Sequence, residues 1–425
     1  MPDRIDPLIA EWLDAIDGLE LIRQVPPAGS PSFAATYVGP AGWAYDPEGQ
    51  EGVASVTNQL AISGAGSYDR IALARLLDRL GATLSRYCDP ESGHLGIWGP
   101  STEWDRLLDL LSEVVLRPRF DSEDLERVRR QMVERQLREL TQPSSRAERE
   151  LMRAIYPPHH PYRESGIGRR ESVSKLTRSQ VARFQREHFT PEGGQLIVTA
   201  SVPPSELRSA VARKFKGWTR RQAPGGLSAP RLAGSVHRTV QIPMRGRSQV
   251  EVRIGGDSIP RSSDVYPGAF LANEVLGSRP LLSRLFQRVR ERHGLAYHAS
   301  SDLTALRTGG YWTADAGTGG ERWRRVVELV EKEIERLRRD PIPKSELETI
   351  RRSAIGEIPL SLETTAGAHQ LAVEVAYYHL PSDFYRQWPR ELKRLSAREV
   401  RAAAQVAFDS HRSATIVAGP LAGSG

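Results

Sequence analysis

This chain carries the same pattern twice. Asp124-Leu125-Glu126-Arg127-Val128-Arg129-Arg130 is paralleled by Glu346-Leu347-Glu348-Thr349-Ile350-Arg351-Arg352, 222 residues on. Both copies follow a basic helix end and a proline, Leu116-Arg117-Pro118 and Arg339-Asp340-Pro341. Leu176-Thr177-Arg178-Ser179-Gln180-Val181 is paralleled by Leu395-Ser396-Ala397-Arg398-Glu399-Val400, 219 residues on. Each of these leads into a short apolar strand, Gln195–Thr199 and Ala414–Ala418. Three matches in order at nearly constant offset argue for a duplicated domain. A length of 425 residues is too long for one core and suits two.

Within each copy, strands and helices mix. Residues 32–38 read as a strand, 69–77 as an amphipathic helix, 91–99 as a strand region and 103–111 as a helix. In the second copy, residues 249–254 alternate as a strand should, and 311–316 read as another. Val326, Val327, Val330, Ile334 and Leu337 form one helical stripe. The expected class is α+β: two duplicated α/β sandwich domains, each a mainly antiparallel sheet covered by helices on one face. Residues 1–215 make the first domain and 237–425 the second. The Gly-, Pro- and Arg-rich stretch 216–236 is the linker, and 421–425 a flexible tail.

Charge narrows the function classes. The net charge is +7, from 59 basic and 52 acidic residues, and only six of the basic residues are lysine. Acids and bases interleave at helical spacing, as in Glu331-Lys332-Glu333-Ile334-Glu335-Arg336, which reads as a solvated, ion-paired helix face. No one-sign stripe or nucleic-acid motif stands out, so no nucleic-acid partner is expected. No apolar run is long enough to span a membrane. Met1–Asp6 lacks the regions of a signal peptide, which makes the cytoplasm the expected compartment. Cys88 is the only cysteine, so no internal disulfide can form, and a buried structural thiol is expected.

The ten histidines supply no metal motif of their own. No two stand four residues apart with a Glu between. His159 and His160 lie in a proline-bounded loop and read as a surface turn.

Several stretches carry a resemblance. They are Glu51-Gly52-Val53-Ala54-Ser55-Val56-Thr57-Asn58-Gln59-Leu60, the run 176–198 with Phe189-Thr190-Pro191, and Phe215-Lys216-Gly217-Trp218. The most specific is Ser283-Arg284-Leu285-Phe286-Gln287-Arg288-Val289-Arg290-Glu291-Arg292-His293-Gly294-Leu295-Ala296-Tyr297. Over nearly its whole length the chain resembles the pitrilysin- and mitochondrial-processing-peptidase-like (M16) family of inverted-zinc metallopeptidases. That family's zinc motif, His-x-x-Glu-His, follows a Gly-x-Ala. Here Gly52 and Ala54 remain, but the motif positions read Ser55, Asn58 and Gln59. The family's third ligand, a Glu on a later helix, aligns with Arg135, with Glu134 beside it.

Chemistry makes these changes decisive. Zinc needs imidazole nitrogens and a carboxylate, with an open position for water. A serine and a glutamine are poor ligands, an asparagine cannot act as general base, and a cation repels the metal. Ser85 also stands where the family carries an Asn for substrate alignment. The resemblance implies a chain inactive alone, holding no cofactor, with zinc in a partner. In the family the Arg and Tyr seven residues apart, here Arg290 and Tyr297, contact the peptide in the partner domain's catalytic site. Both side chains donate hydrogen bonds that could hold a scissile carbonyl. By spacing alone they read as a surface arginine and a half-buried strand tyrosine, and the surrounding signature reverses that preference. The expected function is the non-catalytic subunit of a heterodimeric zinc peptidase acting on unfolded peptides, with a homodimer possible. The alternative is a structural scaffold subunit without a peptidase role.

Overall fold

The computed structural model describes residues 8–219, 224–228 and 238–421. Met1–Asp6, much of the 216–236 linker and the 422–425 tail therefore lie outside the described residues. In chain order the strands and helices are β1 (Glu11–Ile16), β2 (Leu19–Gln24), β3 (Ser32–Gly39), α1 (Val53–Ala61), α2 (Arg70–Leu80), β4 (Thr83–Cys88), β5 (Gly93–Pro100), α3 (Trp104–Leu116), α4 (Ser122–Thr141), α5 (Pro143–Ile155), α6 (Arg170–Val173), α7 (Arg178–His188), β6 (Gln195–Thr199) and α8 (Pro204–Lys214). They continue as β7 (Arg238–Pro243), β8 (Gln249–Ser258), α9 (Tyr266–Asn273), β9 (Ala296–Ala305), β10 (Gly310–Gly319), α10 (Trp323–Arg339), α11 (Lys344–Ser361), α12 (Thr365–Tyr377), α13 (Phe384–Arg394), α14 (Ala397–Ala407) and β11 (Ser413–Gly419). No helix among the described residues is long and apolar enough to cross a membrane.

Two compact units divide this chain, and they do not follow it in two uninterrupted halves. The first comprises Met1–Gln136, Ser165–Leu227 and Glu357–Trp388, and the second Leu137–Glu164, Ser228–Gly356 and Pro389–Gly425. Each half of the sequence thus gives up a helix: α5 belongs to the second unit and α12 to the first.

The first unit holds a six-stranded sheet in the order β1-β2-β6-β3-β5-β4. Only the β2–β6 pair is parallel. Period-two alternation sends Phe33, Ala35, Tyr37, Leu95, Ile97, Leu196 and Val198 into one core with Val56 and Leu60 of α1 and Leu107 and Leu111 of α3. The alternate residues face α12. There His369 sits fully buried between the Thr36 hydroxyl at 2.8 Å and the Thr199 hydroxyl at 2.9 Å. Its ring meets Trp98 edge-on at 5.0 Å. The Gln195 side chain donates to Ala376 O at 2.8 Å, and the Ser30 and Thr365 hydroxyls pair at 2.5 Å.

The second unit holds five strands in the order β7-β11-β8-β10-β9, with β7 and β11 parallel. Matched by position, this is the order of the first sheet without its edge strand β1, as a duplication requires. Here α5 covers one face, packing Ala147, Leu151 and Ile155 against Ala414, Ile416 and Ala418. Its approach is close: a Cβ on Gly255 would meet Leu151 Cδ2 at 2.7 Å. Arg253 on the same face pairs with Glu148 of α5 at 3.2 Å and with Asp315.

The expectation of helices on one face therefore needs correction, because in each unit the transferred helix covers the second face. A second correction concerns the charged run in α10. Glu333 is 1% exposed and binds Arg288 at 2.9 Å, so that run is not solvated throughout. The repeated sequence itself acquires a cause. Thr177-x-x-Gln180 and Ser396-x-x-Glu399 are both capping boxes, closing the N-termini of α7 and α14. The repeated acid has the same role twice as well: Asp124 receives Arg70 at 3.0 Å, and Glu346 receives Arg284 at 2.8 Å.

Candidate functional site

Helix α1 carries Ser55, Asn58 and Gln59 on the surface that meets β4 and α4. The Asp46 carboxylate accepts from Gly52 N at 2.5 Å and Ala54 N at 2.9 Å and so starts the helix. Burial raises its pKa to about 8, against the lowering effect of those two bonds.

Each degenerate position has a partner of its own. Ser55 hydrogen-bonds the Cys88 thiol, whose pKa is driven up by burial and by Asp89 and Asp46, with Ser55 opposing. Cys88 is half-buried where a buried thiol is expected, and it is in weak contact with Ala41 O and Asp89 O. Asn58 is fully buried, and its amide donates to Tyr87 O and His94 O, each at 3.2 Å. It thereby fastens α1 to the β4–β5 hairpin. Gln59 donates to Gln131 at 3.0 Å and accepts from Arg86 at 3.1 Å. Arg135 lies one helical turn beyond Gln131 on α4, near enough to Arg86 to lower its pKa, an effect second to burial.

Gln59 thus lies in a network of amides and a guanidinium, with Arg135 close to Arg86. Among the described residues no group of three or more His, Cys, Asp or Glu could hold a metal ion. The donor set does not fit zinc, for it offers no imidazole and no carboxylate and brings two cations together. The sequence reading missed Arg86 and Gln131. Gln131 stands four residues before Arg135, a helical spacing that could have found it. Arg86 has no such signal, since only the strand pairing brings it to α1.

The second predicted pair lies in the other unit. Phe286–Arg292 forms a π-helical segment. It ends where Gly294 N donates to Arg290 O at 3.0 Å and Leu295 N to Val289 O at 3.1 Å. Gly294 takes φ +57°, a left-handed cap that costs glycine nothing, and β9 starts two residues later. Arg290 and Tyr297 therefore do flank one turn, Arg290 on the helix and Tyr297 on the sheet-edge strand β9. Arg290 lies over the Phe286 ring at 5.0 Å, and Tyr297 is 65% exposed. Neither side chain has a hydrogen-bond partner among the described residues. Beneath them Arg284 grips Glu346 and Arg288 grips Glu333, so the segment that presents Arg290 is anchored to α11 and α10.

Comparison with known proteins gives the family and the fold. Residues 29–163 match the family description Insulinase (Peptidase family M16), and residues 175–354 match Peptidase M16 inactive domain. An uncharacterized zinc protease of Mycobacterium leprae is 26% identical over 73% of this chain and 70% of its own. One from Mycobacterium tuberculosis is 24% identical over 95% of this chain and 91% of its own. The crystal structure of a peptidase M16 inactive domain from Pseudomonas fluorescens superimposes with a TM-score of 0.89 at 21% identity, over 97% of this chain and 98% of that one. A protease from Helicobacter pylori gives 0.87 at 16% identity, over 97% and 99%. At these identities the structures show a shared fold.

Proposed function

The chain belongs to peptidase family M16, and from that premise we propose that it is the non-catalytic subunit of a heterodimeric zinc peptidase. One observation carries the reading. Where the fold would hold zinc, Gln59 is bonded to Arg86 and Gln131, while Arg290 and Tyr297 stand exposed with their donors unused. A metal site decayed in one unit and a donor pair left unused in the other suit a chain that completes a partner's site. The zinc, the base and the water would be the partner's. This chain would offer the Arg290 fork and the Tyr297 hydroxyl to the backbone carbonyls of an unfolded peptide.

The test is to recover the tagged chain from its own host and identify what comes with it. Recovery of a chain of similar size bearing His-x-x-Glu-His supports the reading. In that complex Arg290→Ala should lower kcat/KM for a peptide about 100-fold, the usual cost of a lost oxyanion donor, and Tyr297→Phe should lower it too. Unchanged activity in both variants would favour the scaffold role. Recovery of this chain alone, or of an assembly without the zinc motif, would sink the split site.

A further inference from the structure

The first unit contains a second feature that the peptidase reading does not use. A cavity of about 510 Å3 opens where the C-terminal ends of α3, α7 and α8 meet. Its wall includes Arg117, Arg186, Arg213, Lys214 and Lys216, and no acid. Phe189 and Trp218 supply the apolar part. This one-sign gathering comes from three separate segments, at residues 117, 186 and 213–216, so the sequence shows no stripe.

Basic residues at helix ends have an ordinary explanation, since they complement the helix dipole and cap last carbonyls. That covers part of the cluster. Lys214 is held by Asp105 at 3.0 Å and Asp109 at 3.5 Å, Arg213 by Asp105 at 3.3 Å, and Arg117 by Glu113. It does not cover Arg186 and Lys216, which have no carboxylate partner among the described residues. The aromatic wall is rigid: Trp218 packs against Tyr37 at 5.4 Å and Phe215 at 5.8 Å, and Tyr37 stacks on Phe189 at 5.9 Å.

We propose that this cavity is a binding site for a small phosphate ester carrying an aromatic ring, a nucleotide in chemical class. Arg186 and Lys216 supply the uncompensated charge, an arginine fork and a lysine point charge for phosphate oxygens. Trp218 supplies a fixed aromatic surface. The volume falls within the ordinary range of small-molecule sites, roughly 300–1,000 Å3. Charge accounting decides against nucleic acid. The partial negative charge of three helix C-termini opposes an anion, so the two free cations leave a small positive excess that suits one small anion, whereas a strand needs a longer cationic track. The inference stands apart from the peptidase reading and survives its failure.

Titration calorimetry of the full chain near physiological salt tests it, with ATP, tripolyphosphate and a single-stranded oligonucleotide as probes. One ATP should bind per chain, more tightly than tripolyphosphate. The Arg186→Ala/Lys216→Ala variant, altered only at exposed side chains, should bind ATP about tenfold or more weakly, and its unchanged thermal melting would show that it folds. Absence of binding at millimolar ATP, equal binding by the variant, equal affinity for tripolyphosphate, or tighter binding of the oligonucleotide would each overturn the assignment.

Discussion

Ser55, Asn58 and Gln59, which the family resemblance aligns with metal-motif positions, each have partners in the surrounding structure. Asn58 shows this best. It is fully buried and ties Tyr87 O and His94 O to α1 through its amide nitrogen. A glutamate there could only accept, and would set a buried carboxylate against two carbonyls. Restoring the family motif is therefore not enough to restore the metal. The variant Ser55→His/Asn58→Glu/Gln59→His should fail to bind zinc stoichiometrically, because Arg86 and Arg135 keep two positive charges at the site. Adding Arg135→Glu removes one cation and supplies the third ligand. It should raise zinc affinity by about 100-fold or more, given that a unit charge a few ångströms away is worth several kcal/mol at a protein surface. Zinc binding followed by calorimetry would decide, and equal affinity with and without Arg135→Glu would show that the cation does not matter.

Helix α12 depends on a histidine that must stay neutral. Burial lowers the pKa of His369 to about 3, from about 6.5 in an unfolded chain. The folded state then binds fewer protons than the unfolded one, so this residue's contribution is whole above pH 6.5 and is lost as pH falls toward 3. A shift of that size corresponds to at most about 5 kcal/mol. His94, lowered to about 4 by burial, acts in the same direction. Asp89 and Asp46 act in the opposite one: burial raises them to about 6 and about 8, so their effect is to weaken the fold as pH rises. The difference between the wild type and His369→Gln isolates the one group. Denaturant unfolding from pH 7 to pH 4 should show a steeper acid loss in the wild type, and amide exchange should show α12 opening early. Identical slopes would refute the role. At this scale the sequence was only partly legible. The repeats at Leu176 and Leu395 were visible because a capping box is local, with its partners three residues apart. His369 was not, because its partners Thr36 and Thr199 are reached only through the tertiary fold. Glu333 was misread for the same reason: its partner Arg288 comes from another element.

Across the whole molecule, the duplication was legible, since a repeat is a linear pattern. The passage of α5 and α12 between units was not, because nothing in their amphipathic faces says which sheet they will cover. That passage has a consequence for where the chain can be divided. Cutting in the Gly- and Pro-rich stretch 216–236 looks harmless by composition. A fragment 1–215, however, keeps α5 and lacks α12, and with it the cover over Thr36 and Thr199. A fragment 237–425 lacks α5, and with it the partners of Ala414, Ile416 and Ala418 and of the partly buried Arg253. Each would expose one face of its sheet, and uncovering a single large aliphatic side chain already costs about 1.5–3 kcal/mol, a large share of a domain's net stability. Neither fragment alone should therefore give a cooperative melt or dispersed amide spectra. Expressed together, the two should associate one to one and regain both, because each carries the helix the other needs. If instead the separate fragments fold independently, with α5 and α12 each returned to the half that encodes it, the passage is not required by the fold. The cleavage at 216–236 would then be as innocuous as its composition suggests.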